Sequence, residues 1–204
     1  SSGFAVTWLS YAGFYLTRKS FAVAKIEMGR ENSELGLSSE QLVSIDFAYL
    51  TTYAVGQFIW GLCGDRFGTR RVVLTGMLAS VLAAVAMGAS SLVITLGFFF
   101  AIQGLCQSTG WAPLSKNFSY FFSRRERGTM MGLWCTNYAV GGLVASVLAG
   151  FAGDHYGFRY AFYIPAGVLL VVWVLFLILQ RDRPEDVGLP PMDDGAGIED
   201  TVNS

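Results

Sequence analysis

Charge is what this chain has least of. Only 14% of its 204 residues are charged, against 53% hydrophobic and 15% aromatic, and the mean hydropathy is +0.47. Ordinary soluble domains carry about 25% charged residues, so a water-soluble globule is excluded and an integral membrane protein is indicated. Histidine occurs once, as His155, and cysteine three times, as Cys63, Cys106 and Cys135. The cysteines fall in apolar segments with no CxxC or Cys/His spacing, so neither a metal site nor a disulfide framework is expected, and they read as small reduced packing residues. The sequence offers no nucleophile–base pair, metal cluster or phosphate-cradling glycine loop, so no enzyme, cofactor or nucleic-acid partner is expected.

The charge that is present is unevenly placed. Residues 181–204 hold two basic and seven acidic residues, which leaves twelve basic and eight acidic in the first 180. A helix that crosses a bilayer needs about 20 mainly apolar residues, and six windows qualify, at about 4–24, 43–64, 72–88, 92–113, 129–153 and 160–179. The expectation is an all-α membrane protein, a bundle of six transmembrane helices over 1–180, followed at 181–204 by the start of a Pro-, Asp- and Gly-containing cytoplasmic linker. Lysine and arginine collect on the cytoplasmic side of membrane proteins. Arg66, Arg70 and Arg71 follow span two, Lys116, Arg124, Arg125 and Arg127 follow span four, and Arg181 and Arg183 follow span six, whereas the opposite loops hold only Lys25, Arg30 and Arg159. Both ends are therefore expected in the cytoplasm, with the polar 25–41 loop on the other side.

Inside the spans, polar residues recur at helical spacing. Tyr11, Tyr15 and Arg18 share one face of span one. An uncompensated cation at bilayer depth is costly and marks a binding or transport site for an anion, and a guanidinium offers an oxyanion two parallel charge-assisted hydrogen bonds. Phosphate or carboxylate is the indicated ligand group. Lys19 projects about 100° from Arg18, toward either a ligand or a neighbouring helix. Asp46, Tyr49, Tyr53 and Gln57 form a second stripe, Gln103, Gln107 and Trp111 a third, and Trp134, Asn137, Tyr138 and Gly141 a fourth, whereas spans three and six show none and read as packing or lipid-facing. The competing account makes Asp46 the structural partner of Arg18 and the tyrosines ordinary interhelical hydrogen bonders.

At the turn after span two, Gly61-Leu-Cys-Gly-Asp65-Arg66-Phe-Gly68-Thr-Arg70-Arg71 resembles the signature loop of the major facilitator superfamily. The resemblance implies a gating latch made by Asp65, Arg66, Gly68, Arg70 and Arg71. More narrowly, Tyr11-Ala-Gly-Phe-Tyr15-Leu-Thr-Arg18-Lys19-Ser-Phe21 is similar to the first helix of the organophosphate:phosphate antiporters, supported by the stretches 104–113, 123–128, 134–142 and 181–190. It implies that Arg18 is one of two arginines that grip a substrate phosphate, the other coming from span seven. Tyr11, Tyr15, Lys19, Tyr53, Gln57, Trp111, Asn137 and Tyr138 are the accompanying candidate binding residues. Two positions depart from that pattern: Gln57 and Tyr138 stand where some members place a lysine and a histidine.

The implied protein is the amino-terminal half of a major facilitator fold in a bacterial inner membrane, its partners being the bilayer, the missing carboxy-terminal six-helix half, and organic and inorganic phosphate. The implied activity is exchange of a phosphate ester for inorganic phosphate by alternating access, and the half alone is expected not to transport. Two rivals use the same residues: a membrane sensor of hexose phosphate that signals to a partner kinase, and a proton-coupled carrier of an organic anion with Asp46 as its titrating group.

Overall fold

Long apolar runs without strand-like alternation fold as helices, because in lipid every backbone N–H and C=O must be satisfied within the protein. The structure, a computed structural model, describes residues 2–28, 36–120 and 124–180. Over these the helices are α1 (Ser2–Met28), α2 (Ser39–Phe67), α3 (Thr69–Ala89), α4 (Val93–Gln107), α5 (Trp111–Tyr120), α6 (Arg124–Tyr156) and α7 (Tyr160–Leu179). The expectations placed on Arg30, on the side chains of Lys116, Arg124 and Arg125, and on residues 181–204 lie outside what is described. Five helical stretches are long and apolar enough to cross a membrane: Ser39–Phe67, Thr69–Ala89, Val93–Ser115, Glu126–Tyr156 and Tyr160–Leu179. At 27 residues α1 is also long enough, but Arg18, Lys19 and Lys25 lower its hydropathy.

Local chemistry sets the ends of these elements. Ser38 opens α2 with a capping box, its hydroxyl accepting from the Gln41 N–H at 3.3 Å while the Gln41 side chain accepts from the Ser38 N–H at 3.0 Å. Gly68 separates α2 from α3 at φ 87°, a conformation that side chains resist. Between α4 and α5 the helix breaks at Ser108–Gly110. There the Ser108 and Thr109 hydroxyls donate back to the Leu105 and Cys106 carbonyls, and Pro113 has no N–H to offer the Thr109 carbonyl. The two helices make one bent span whose second segment carries Trp111.

The helices pack in the order α6, α1, α7, α3, α4, α2, with α5 against α1, α2 and α3. Lipid is as apolar as leucine, so close approach of small residues and interhelical hydrogen bonds hold such a bundle together. Gly104 brings α4 so near α2 that a Cβ there would lie 2.5 Å from the Tyr49 carbonyl oxygen, and a Cβ on Gly141 of α6 would lie 2.9 Å from the Ala12 carbonyl oxygen of α1. Thr52 donates across to the Ala101 carbonyl (2.7 Å), Trp60 to Leu105 (2.8 Å) and Trp173 to Leu74 (2.9 Å). Spans three and six are thus packing elements: Met77 of α3 and Leu169 and Phe176 of α7 are wholly buried.

Two apolar clusters result. One gathers Tyr11 and Phe14 of α1 with Val73, Met77, Trp134 and Leu169, and the other gathers Phe21, Ala24 and Met28 of α1 with Tyr49, Leu96, Phe100 and Phe162. Arg18 falls between them along α1. There α1 and α2 scarcely approach backbone to backbone, and the space between them is spanned by side chains, with α4 and α5 behind.

Candidate functional site

Arg18 is held by neutral groups. Its Nε–H donates to the Tyr49 hydroxyl oxygen at 2.7 Å and, more distantly, to Gln107 Oε1 at 3.4 Å. The Tyr49 hydroxyl in turn donates to Gln107 Oε1 at 2.7 Å, and Gln107 Nε2 donates to Thr17 Oγ1 at 2.7 Å. The guanidinium carbon lies 4.6 Å from the ring centroid of Tyr53, 4.8 Å from that of Tyr15 and 5.6 Å from that of Tyr49, so three aromatic faces stabilise the cation without neutralising it. Asp46 does not pair with Arg18. Its carboxylate is bound by the Lys25 ammonium.

The rings extend as one aromatic wall. Tyr11, buried to 4% exposure, sits 5.7 Å from Tyr15, 5.5 Å from Trp111 and 5.3 Å from Trp134, and Tyr15 lies 6.3 Å from Tyr138. Trp111 and Tyr138 remain open, at 38% and 54% exposure, so α5 presents an aromatic ring beside Tyr11 and α6 one beside Tyr15. Tyr11, Tyr15, Arg18, Tyr53, Trp111 and Tyr138 are therefore brought together, and Gln57 lies half-buried one turn beyond Tyr53 on α2.

Two expected residues sit elsewhere. Asn137 is wholly buried on the side of α6 turned toward α1, between Trp134, which donates to Thr7, and Gly141, which abuts Ala12; neither of its amide atoms has a hydrogen-bond partner. Lys19 is exposed and runs along α6, its Cε 3.9 Å from the position of a Cβ on Gly142. In the loop between α2 and α3, Asp65, Arg66 and Arg71 are exposed, whereas Arg70 donates from Nη2 to the Leu177 carbonyl at 2.6 Å, capping the last turn of α7.

Sequence reasoning left Tyr49, Gln107 and Thr17 out of the site. The first two lie on the stripes already recognised, and a buried cation needs acceptors; that need is the signal that would have found them. Thr17 gave none, since a single threonine in a span is usually bonded to its own backbone.

The Major Facilitator Superfamily profile matches residues 7–199. The chain belongs to the Major Facilitator Superfamily. It is 32% identical over 186 residues to a probable hexose phosphate transport protein of Chlamydia muridarum, covering 91% of this chain and 40% of that one. It is also 32% identical over 196 residues to a glycerol-3-phosphate transporter of Bacillus subtilis, covering 92% and 42%. This facilitator chain thus spans about two fifths of the length of the curated relatives it matches. Among solved structures, the proton:xylose symporter XylE superposes with a TM-score of 0.77 over 89% of this chain and 45% of the symporter at 14% identity, a likeness of fold alone. A helical membrane domain built like part of a facilitator transporter is what sequence and fold agree on.

Proposed function

We propose that the chain is the amino-terminal half of a secondary transporter that exchanges an organic phosphate ester for inorganic phosphate by alternating access. One observation carries the reading: the guanidinium of Arg18 is positioned by phenols and an amide, and no carboxylate forms an ion pair with it among the described residues. A cation at bilayer depth needs a counter-charge. Here the ligand supplies it, and the planar fork suits a phosphoryl group. The relatives named for hexose phosphate and glycerol-3-phosphate support the same class of cargo.

The ester and inorganic phosphate compete for Arg18 and for a second cation from the carboxy-terminal half. That half seats on α2 and α6, the least buried of the candidate spans, at 17% and 28%, which flank the arginine. No bond is made or broken. The protein lies in a bacterial inner membrane with both ends cytoplasmic, and Asp65, Arg66, Gly68, Arg70 and Arg71 latch one access state.

The test is exchange in liposomes loaded with labelled inorganic phosphate, using the chain joined to a carboxy-terminal half and the chain alone. Efflux that requires an external phosphate ester and occurs only with both halves is the expected result. Ester binding without exchange would make the protein a receptor. Uptake that follows a proton gradient and ignores internal phosphate would make it a proton-coupled carrier, and exchange by the chain alone would overturn its standing as a half.

A further inference from the structure

We propose that Gln107 is a positioning residue: it aims the Arg18 guanidinium while leaving its charge available, which rests on the reading of Arg18 as the phosphoryl-binding group. Gln107 comes from α4, whereas Arg18 belongs to α1 and Tyr49 to α2, so one side chain ties three helices at the arginine. It is wholly buried, and its amide is oriented without ambiguity. The Thr17 hydroxyl donates to the Phe14 carbonyl at 3.1 Å, so toward Gln107 it can only accept, which assigns Nε2 to Thr17 and turns Oε1 toward Arg18 and Tyr49.

Oε1 then accepts from the Tyr49 hydroxyl at 2.7 Å and from Arg18 Nε at 3.4 Å, while the Tyr49 oxygen accepts from that same Nε at 2.7 Å. Both contacts engage Nε–H, the inner edge of the guanidinium. Neither contact uses the Nη groups, the pair that can make two parallel bonds to an oxyanion, and the guanidinium carbon lies 4.8 Å and 4.6 Å from the Tyr15 and Tyr53 ring centroids. A guanidinium on a free side chain has many rotamers, and fixing it beforehand lowers the ordering cost at binding.

The choice of an amide over an acid is the informative part. Glutamate has almost the same shape, but at position 107 its carboxylate would stand where Oε1 stands and would be a built-in counter-ion for Arg18. Glutamine supplies the same acceptor geometry with no net charge, so the arginine is oriented and still unneutralised.

Three measurements on the chain joined to a carboxy-terminal half in lipid nanodiscs test this, with Gln107→Glu and Gln107→Leu: titration with inorganic phosphate, thermal unfolding, and hydrogen exchange of the Arg18 Nε–H by nitrogen-15 NMR. Gln107→Glu is expected to weaken phosphate binding by more than about a hundredfold with unfolding temperature unchanged or raised, since a charged pair replaces a neutral contact. Gln107→Leu is expected to weaken it by about tenfold and to speed Nε–H exchange. A purely structural glutamine predicts the reverse order, because the near-isosteric glutamate disturbs packing least. Phosphate binding by Gln107→Glu within about threefold of wild type, or affinity losses that merely follow unfolding temperature, would overturn the proposal. If wild type binds no phosphate, the transporter reading fails by itself. In that case faster Nε–H exchange in Gln107→Leu upholds the positioning role, and unchanged exchange overturns it.

Discussion

The ammonium of Lys25 on α1 is paired with the carboxylate of Asp46 on α2. Lys25 lies seven residues beyond Arg18 and Asp46 three before Tyr49, so this pair bridges the same two helix faces as the Arg18–Tyr49 hydrogen bond, nearer the helix ends. An acid on the α2 stripe is thereby engaged by a second cation, which leaves Arg18 among neutral acceptors. The division is physical: a carboxylate on Arg18 would compete with any anionic ligand, whereas a phenol and an amide direct the guanidinium without cancelling it.

Both partners of the Lys25–Asp46 pair are part-exposed, at 28% and 39%. Such pairs contribute about 0–1 kcal/mol. Asp46→Asn is therefore expected to shift thermal unfolding by no more than a few degrees and to leave phosphate affinity within about threefold of wild type. A large loss of transport in Asp46→Asn, together with loss of its pH dependence, would favour proton coupling through Asp46.

Arg18→Lys keeps the charge and loses both the planar fork and the Nε–H that Tyr49 and Gln107 receive. One charge-assisted hydrogen bond is worth about 1.5–3 kcal/mol, so phosphate affinity is expected to fall by about tenfold to a hundredfold. Isothermal titration in nanodiscs measures this, and unchanged affinity in Arg18→Lys would remove Arg18 from the site.

Gly104→Ala would drive a methyl group to 2.5 Å from the Tyr49 carbonyl oxygen and 2.6 Å from Thr52 Oγ1. The obstructing carbonyl belongs to the backbone and cannot swing aside, so α2 and α4 must separate. Overpacking of this kind costs about 1–3 kcal/mol, and because Tyr49 moves with α2, lower unfolding temperature and weaker phosphate binding are expected together. Gly61→Ala on α2, with nothing within 4 Å of its Cβ position, is the matched control and should lower neither unfolding temperature nor phosphate affinity.

Gly68→Ala places a side chain at φ 87° in the turn between α2 and α3. The strain is expected to cost about 1 kcal/mol or more, read as lower unfolding temperature with phosphate affinity intact.

Arg70→Met removes the guanidinium that caps the Leu177 carbonyl. Faster backbone hydrogen exchange in the last turn of α7, with the centre of α3 unchanged, is the expected result. Unaltered exchange at α7 would show that the cap carries no local stability.

Much of the architecture was written in hydropathy. Long apolar runs bounded by charged turns must become helices in lipid, and the spacing of Tyr11, Tyr15 and Arg18 already placed them on one face. Periodicity gives the direction of a side chain about its own helix and says nothing of which helix stands opposite. That is why Asn137, on a recognised stripe, is buried toward α1, why Lys19 follows α6, and why Gln107, on another stripe, reaches Arg18 from α4.

The sequence by itself determined a helical membrane protein with a costly intramembrane cation at Arg18, because transfer free energies of residues depend on composition and order alone. Which groups surround that cation was decided by tertiary structure. The break at Ser108–Gly110, the close approach at Gly104 and the pairing of Lys25 with Asp46 accompany a packing in which Tyr49 and Gln107, not a carboxylate, receive the guanidinium. Counter-charge is a matter of distances between helices, and those exist only once the helices have packed.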